Sequence, residues 1–488
     1  MKSIKFGLII FTTLCLFILS ACFSPWAGDE GIVTFNFGGS ARTFVNLNNG
    51  EFGNFSYEIT FKSPGRADIV RTLPSGGKGS VTVLPGVYTI TAKAFDNAGL
   101  RAYGGAIHIN EWNEDYDREH EDTESFIKVE IVAGKNTNVN IEMWSAVEVG
   151  SWAELKSALE LESPAGVGIL DRWLFVFLKN SFSTVNSDSG IIARGNKILA
   201  ADNDVTINGS VFGSDPMFTV MSNASTGLIY HLWFGVDWGM TGSITITGRQ
   251  NALNPIVEVN GGSFYMTDGV TLKDNKRLTG EGGAVVVTNE GHFLMDGGTI
   301  IGNSAVNGGG VKVDSGFFEM FGGTITGNTV SYNGGGVSFY SGSNIGYFNM
   351  LGGTITGNTA GHDGGGISVV GFNLYLNSGN ITGNNAANGG GVSLLGGFLI
   401  MDGGVISGNN ATSNGGGFYI DNSATLNIRN GIVYGSNSNQ GNIAQNGAAL
   451  WVENGNAYNN IETPENFVDN PPNGVNDTIH ILNDSRIQ

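Results

Sequence analysis

Between residues 262 and 435 the chain repeats one short phrase, and that repetition fixes what it can fold into. NGGGVKVDSGFFEMFGGTITGN runs from Asn307 to Asn328, and NGGGVSFYSGSNIGYFNMLGGTITGN runs from Asn333 to Asn358. An apolar anchor recurs at Met266, Met295, Met320, Met350, Leu376, Met401 and Ile428, spaced by 29, 25, 30, 26, 25 and 27 residues. One such unit, made of short β-type segments punctuated by glycine, cannot bury its own apolar face and must stack on its neighbours. The expected fold is all-β: a right-handed parallel β-helix, displaying one long surface.

Each position in the unit has a physical reason. After the glycine cluster, the pairs Val311/Val313, Val337/Phe339, Ile367/Val369 and Val392/Leu394 alternate and are expected to point inward. A second inward pair is the Phe-x-Met step, as at Phe293/Met295 and Phe318/Met320. A third inward site is Ile300, Ile325, Ile355, Ile381 and Ile406. The glycine pairs Gly297-Gly298, Gly322-Gly323, Gly352-Gly353 and Gly403-Gly404 are expected at corners where φ turns positive. Asn303, Asn328, Asn358, Asn384 and Asn409 are expected to stack as an internal amide ladder, each donating to the carboxamide one coil away.

The beginning of the chain reads as an export signal. Lys2 and Lys5 precede an apolar run from Phe6 to Leu19, which is short for a bilayer span of roughly 20 residues. Leu19-Ser20-Ala21-Cys22 resembles the bacterial lipobox, which implies cleavage after residue 21 and a lipid on Cys22 as membrane anchor. Phe23 follows in place of the Asp that the resemblance associates with inner-membrane retention, so an outer-membrane or cell-surface location is expected. Cys15 lies within the signal, so the mature chain keeps one cysteine and no disulfide. The formal charge is −19, and loss of two lysines with residues 1–21 leaves −21. That balance repels phosphate backbones and argues against nucleic acid as a partner.

The expected organisation is a signal (1–21), a tether (22–29), a β-sandwich (30–146), a linker with a capping helix (147–165), irregular β-helix coils (166–262), consensus coils (263–452) and a terminal cap or tail (453–488). Alternating strands such as IVTFNF at 32–37, VYTITAKAF at 87–95 and NVNIEM at 138–143 support the sandwich. Within it, Leu84-Pro85-Gly86-Val87-Tyr88-Thr89-Ile90-Thr91-Ala92 resembles the PGxYxxxA edge of small Ig-like or prealbumin-like surface modules. Ser151-Trp152-Ala153-Glu154 reads as a capping box, with Trp152, Leu155 and Leu159 on one helical face to close the solenoid's open first coil.

The repeats themselves resemble those of the polymorphic outer membrane proteins, defined by GGA[ILV] paired with FxxN. Gly282-Gly283-Ala284-Val285 matches the first element, while GGG[VI] and an Ile-x-x-Asn such as Ile325 to Asn328 stand elsewhere. The resemblance covers about a third of the chain. It implies adhesin-like surface display. That family usually ends in a membrane barrel; here a polar tail follows Trp451, so the lipid is expected to replace the barrel as anchor.

Little in the sequence calls for chemistry. Asp296, Asp314, Glu319, Asp363, Asp402 and Asp421 are scattered, with Asp296 and Asp402 roughly 19 Å apart by coil spacing, too far to act together. Lys312, Asp314 and Glu319 read as a solvated mixed-charge group. His108, His120, His231, His292, His362 and His480 show no metal-ligand spacing, and no cofactor or metal is expected. The acidic run 111–122 lacks an EF-hand frame and reads as a solvated loop, with a calcium loop as the lesser alternative. Thr324-Ile325-Thr326 and Thr354-Ile355-Thr356 present the T-x-T face used by ice-binding solenoids, but neighbouring coils break it, and the β-propensity of threonine accounts for it. The longest coil bulges between Tyr340 and Tyr347, making these two tyrosines the first candidates for contact with a glycan or protein partner. The expected role is a non-enzymatic display, adhesion or glycan-contact scaffold. The alternative is a polysaccharide lyase or hydrolase using Asp171, Arg172, Arg194, Asp202 or Asp204 in coils 166–262.

Overall fold

A computed structural model describes residues 31–38, 55–74, 78–96, 99–106, 128–162, 173–222, 229–235, 242–340, 345–421, 423–436, 440–452, 467–468 and 480–481. Cys22, the acidic run 111–122, Asp171, Arg172 and loop residues 341–344 lie outside the described residues.

The repeats form a parallel β-solenoid. Each consensus rung repeats the same parts: Val311–Val313 and Gly316–Met320 make two segments of a long face, Thr324–Thr326 a second face, and Thr329–Val330 a short third face. The next rung pairs with this one in parallel and in register, as Val311↔Val337, Phe318↔Phe348, Ile325↔Ile355 and Val330↔Ala360. The second face continues as an 11-stranded sheet and the third as a five-stranded one. In two rungs the long-face segments fuse into single strands, Ile367–Leu376 and Val392–Met401.

Inside, the expected residues meet. Val311, Val313, Phe318, Met320 and Ile325 are fully buried, as are their counterparts in neighbouring rungs, and they join one continuous apolar column. Phe293, Phe318 and Phe348 stack face to face at 4.9 and 4.6 Å. Methionine and glycine are coupled across rungs: a Cβ on Gly353 (φ +78°) would strike the Met320 methyl from the rung before, and one on Gly352 would strike the Phe321 carbonyl oxygen. Only the second glycine of each corner pair therefore needs positive φ; the first is needed for close approach.

The amide ladder is present and longer than five residues, running through Asn275, Asn303, Asn328, Asn358, Asn384, Asn409 and Asn442. From Asn303 to Asn409, each Nδ2 donates to the next Oδ1 at 3.0–3.1 Å. Asn358 Nδ2 also donates to the Ile325 carbonyl at 3.0 Å, while its Oδ1 accepts from the Asn328 backbone N–H at 3.0 Å. All four hydrogen-bonding places of that buried amide are filled.

The N-terminal strands form a mainly antiparallel module with its own core, including Val33, Tyr57, Ile59, Phe61, Tyr88 and Ile90. Its last strand, Asn136–Val149, runs past residue 146 and pairs in parallel with the first solenoid strand, Trp173–Leu178. Residues 147–149 are thus strand and not linker. The solenoid's first long-face strand would otherwise expose an unpaired edge, and this strand covers it. Leu100 and Tyr103 of the module also pack on Phe175, Phe177, Ile198 and Ala200 from the solenoid's outer surface.

The capping helix spans Trp152–Leu159, and its buried face of Trp152, Leu155 and Leu159 joins the solenoid core. Ser151 Oγ accepts from the Glu154 amide at 3.3 Å, and the Glu154 carboxylate reaches back to the amide of Gly150 at 2.8 Å. Just beyond the helix, the Leu161 carbonyl accepts from Lys197 Nζ at 2.7 Å. Lys197 is fully buried, in register with Leu174 and Leu232, and burial pulls its ammonium down to about 7. Between that value and the unfolded value of about 10.4 the unfolded chain holds a proton that the folded chain lacks, so stability rises with pH across this window. The full cost of the buried charge applies below about 7. Denaturant titrations from pH 7 to 9.5 should show a rise of up to roughly 3 kcal/mol that Lys197→Met abolishes. An unchanged slope in the variant would assign the rise to other groups.

Candidate functional site

On the long face, residues alternating with the core project outward, and the strand register aligns them into files. One file of the second segment reads His231, Ser263, His292, Phe317, Tyr347, Asn373 and Phe398. Its neighbour reads Trp233, Tyr265, Leu294, Glu319, Asn349, Tyr375 and Ile400. Each of these seven rungs therefore sets at least one aromatic or imidazole ring on the outer surface. Neither file contains Lys or Arg.

The rings are not equivalent. Trp233 stacks on Tyr265 at 4.8 Å and 8°, and His292 on Phe317 at 4.4 Å and 28°, so these rings cover one another's faces along the axis. Tyr347 breaks the pattern: it meets Phe317 at 62° and Tyr375 at 77°. Its hydroxyl donates to Glu319 Oε1 at 3.0 Å, one rung back and in the other file. The tyrosine thus reaches diagonally back to the preceding rung, and its side chain is half-buried. Glu319 is covered as a result and is only 7% exposed. Asn349, in the next rung of the same file, accepts from Asn377 at 2.7 Å.

Tyr340 ends the strand Val337–Tyr340 and is exposed, with Lys312 Nζ 5.0 Å from its ring centre. The mixed-charge group expected to be solvated is instead largely covered. Lys312 is 1% exposed and pairs with Asp314 at 2.9 Å and Glu281 at 3.6 Å, while Glu319 belongs to Tyr347. Lys312 projects outward, but the Asn-Gly-Gly-Gly turns fold back over that row: Gly308 lies against the Lys312 side chain and Gly334 against Ser338. The same cover explains why Ser338, Ser368 and Ser393 are buried although they point away from the core.

Those turns carry a second polar ladder that the sequence reading missed. Asn307 accepts from the Asn333 amide, Asn333 from the Asp363 amide, and Asp363 from Asn388 Nδ2, at 2.9–3.0 Å. Its signal was the invariant place of Asn or Asp before each glycine triplet in this chain. The threonine file on the second face is also longer than it looked: Thr206, Thr245, Thr271, Thr299, Thr324 and Thr354 align without a gap. Lys273 and Ile301 interrupt the file beside it.

The acidic and basic residues of the early coils do not converge where they are described. Asp202 pairs with Lys93 of the N-terminal module, and Arg194 with Glu162 at 2.6 Å. Asp204 accepts from both the amide and the hydroxyl of Ser243, which hold its carboxyl below the usual carboxylate range. Asp296 is pushed the other way, first by burial and then by the charge of Asp268 in the rung before. Among the described residues, no three His, Cys, Asp or Glu side chains gather as a metal site. His231 is driven down to about 4 by burial and by His292, so it is neutral at physiological pH. An open groove runs along the glycine corners past Gly352, Gly379, Gly403 and Gly431. It carries no titratable side chain. No family model, curated protein or solved structure matches the chain.

Proposed function

We propose that this chain is a lipid-anchored cell-surface protein, held by Cys22, whose β-solenoid is a non-enzymatic scaffold that contacts glycans through its outer aromatic face. The N-terminal module, Ig-like or prealbumin-like in this reading, is a spacer that holds the solenoid away from an outer membrane. The adhesin-like character of the resembling repeats points the same way. The observation that carries the glycan contact is Tyr347. It is a half-buried ring in the outer file, with its hydroxyl on the Glu319 carboxylate and the amide residues Asn349 and Asn373 beside it in register. Sugars are bound by rings whose negative π-face meets C–H groups, with polar neighbours reading the hydroxyls.

The full chain without its signal should retain glycans on an array, and Tyr347→Ala should cut that signal at least tenfold while leaving the far-ultraviolet spectrum unchanged. Failure to retain any glycan would reject the contact. Cleavage of a polysaccharide, abolished by Asp202→Asn or Asp204→Asn, would replace the scaffold reading with the enzymatic one. The membrane anchor has its own test: metabolic labelling with a radiolabelled fatty acid should mark the wild-type chain and not Cys22→Ser.

A further inference from the structure

The outer rings have a direction and a charge character that narrow the ligand. From the rung of Trp233 to the rung of Phe398 there are six steps, a run of roughly 29 Å along the solenoid axis at ~4.8 Å per rung. At its beginning the face is closed, because Trp173 and Trp233 pack beside the Tyr103 and Phe175 cluster that joins the N-terminal module to the solenoid. Phe398, on the last of these seven rungs, is 57% exposed. A ligand that follows the ring file is therefore extended along the axis.

Its charge follows from what the two files contain. Glu319 is the one formally charged residue in them, His231 is neutral, and the whole chain carries −19. An anionic polymer would meet this carboxylate and the acidic field with no Lys or Arg in either file to offset them. Resting on the glycan-contact reading above, we infer that the ligand is a linear, uncharged polysaccharide laid parallel to the solenoid axis. Tyr347 is its central contact, and Asn349 and Asn373 are the hydroxyl readers.

Calorimetric titration of the signal-free full chain with neutral β-linked gluco- and xylo-oligosaccharides, from disaccharide to decasaccharide, tests this. Affinity should climb with length and level off once the oligomer fills the file. Tyr347→Ala should lower affinity at least tenfold at every length, and Tyr347→Phe, which keeps the ring but loses its bond to Glu319, should fall between that variant and wild type. Phe398→Ser, at the exposed end, should weaken only the longer oligomers. Oligogalacturonates bound as well as the neutral series, through the same residues, would overturn the uncharged class and leave glycan contact standing. Affinity independent of length would overturn the axial arrangement. Binding of no oligosaccharide of either series would remove this inference and, with a blank array, the reading beneath it.

Discussion

Asn358→Leu should destabilise the solenoid by roughly 3–5 kcal/mol, although leucine is close in size and more apolar. Asn358 is fully buried and takes part in hydrogen bonds with the Asn328 backbone, Asn328 Nδ2, the Ile325 carbonyl and Asn384 Oδ1. Leucine would leave two donors of Asn328 and the Ile325 carbonyl without those partners in a place water does not reach, at about 1–3 kcal/mol each before relaxation. Asn358→Asp separates this from a packing effect. An ionised Asp can still accept from Asn328 but would face Asn384 Oδ1 without a proton to donate. Its folded pKa is therefore raised, and the variant should lose stability as pH climbs from about 4 through that value. At low pH the protonated acid can donate and much of the loss should return. Urea melts across pH 4–8 would show it. A leucine variant within about 1 kcal/mol of wild type would mean the ladder is incidental.

Phe318→Ala should cost about 3–5 kcal/mol, and Phe317→Ala less than half of that. The two residues are adjacent and chemically identical, so the contrast isolates direction. Phe318 is fully buried between Phe293 and Phe348, and its removal leaves a cavity in a stack that neighbouring rungs cannot collapse to fill. Phe317 is half-buried on the outer surface between His292 and Tyr347. A strand moved by one residue would exchange the two. Equal losses, or a reversed order, would contradict the register.

The inner half of this architecture was legible because burial imposes period and residue type together. Phe318 and Met320 had to be apolar and two apart; Asn328 had to recur where a buried turn needs both a donor and an acceptor. The outer half was not. His292, Phe317 and Tyr347 each stand just before an inward Phe, so their alternation was visible, but their alignment depends on which rung lies above which. The coils differ in length by several residues, and the irregular ones carry no glycine frame from which to count. The long threonine file was hidden for the same reason: Thr206 and Thr245 belong to coils whose register the sequence does not mark. Lys312 was misread because an outward position on a strand normally reaches water. Here the glycine turn of the same solenoid returns over it. Tyr347 was singled out for its place in the longest coil. Its hydroxyl partner Glu319 is a residue of the preceding rung.

Rung stacking can be measured directly with pairs of nitroxide labels on the second face, in a full chain with Cys15 and Cys22 replaced by Ser. With one label fixed at Thr206 and the other moved to Thr299, Thr324, Thr354 and Asn380, the separation crosses three, four, five and six rungs. Stacked rungs require backbone separations of roughly 14, 19, 24 and 29 Å, a straight line with a slope of about 4.8 Å per rung. Separations that scatter, level off or rise with a slope far from that value would show that the repeats do not build one column.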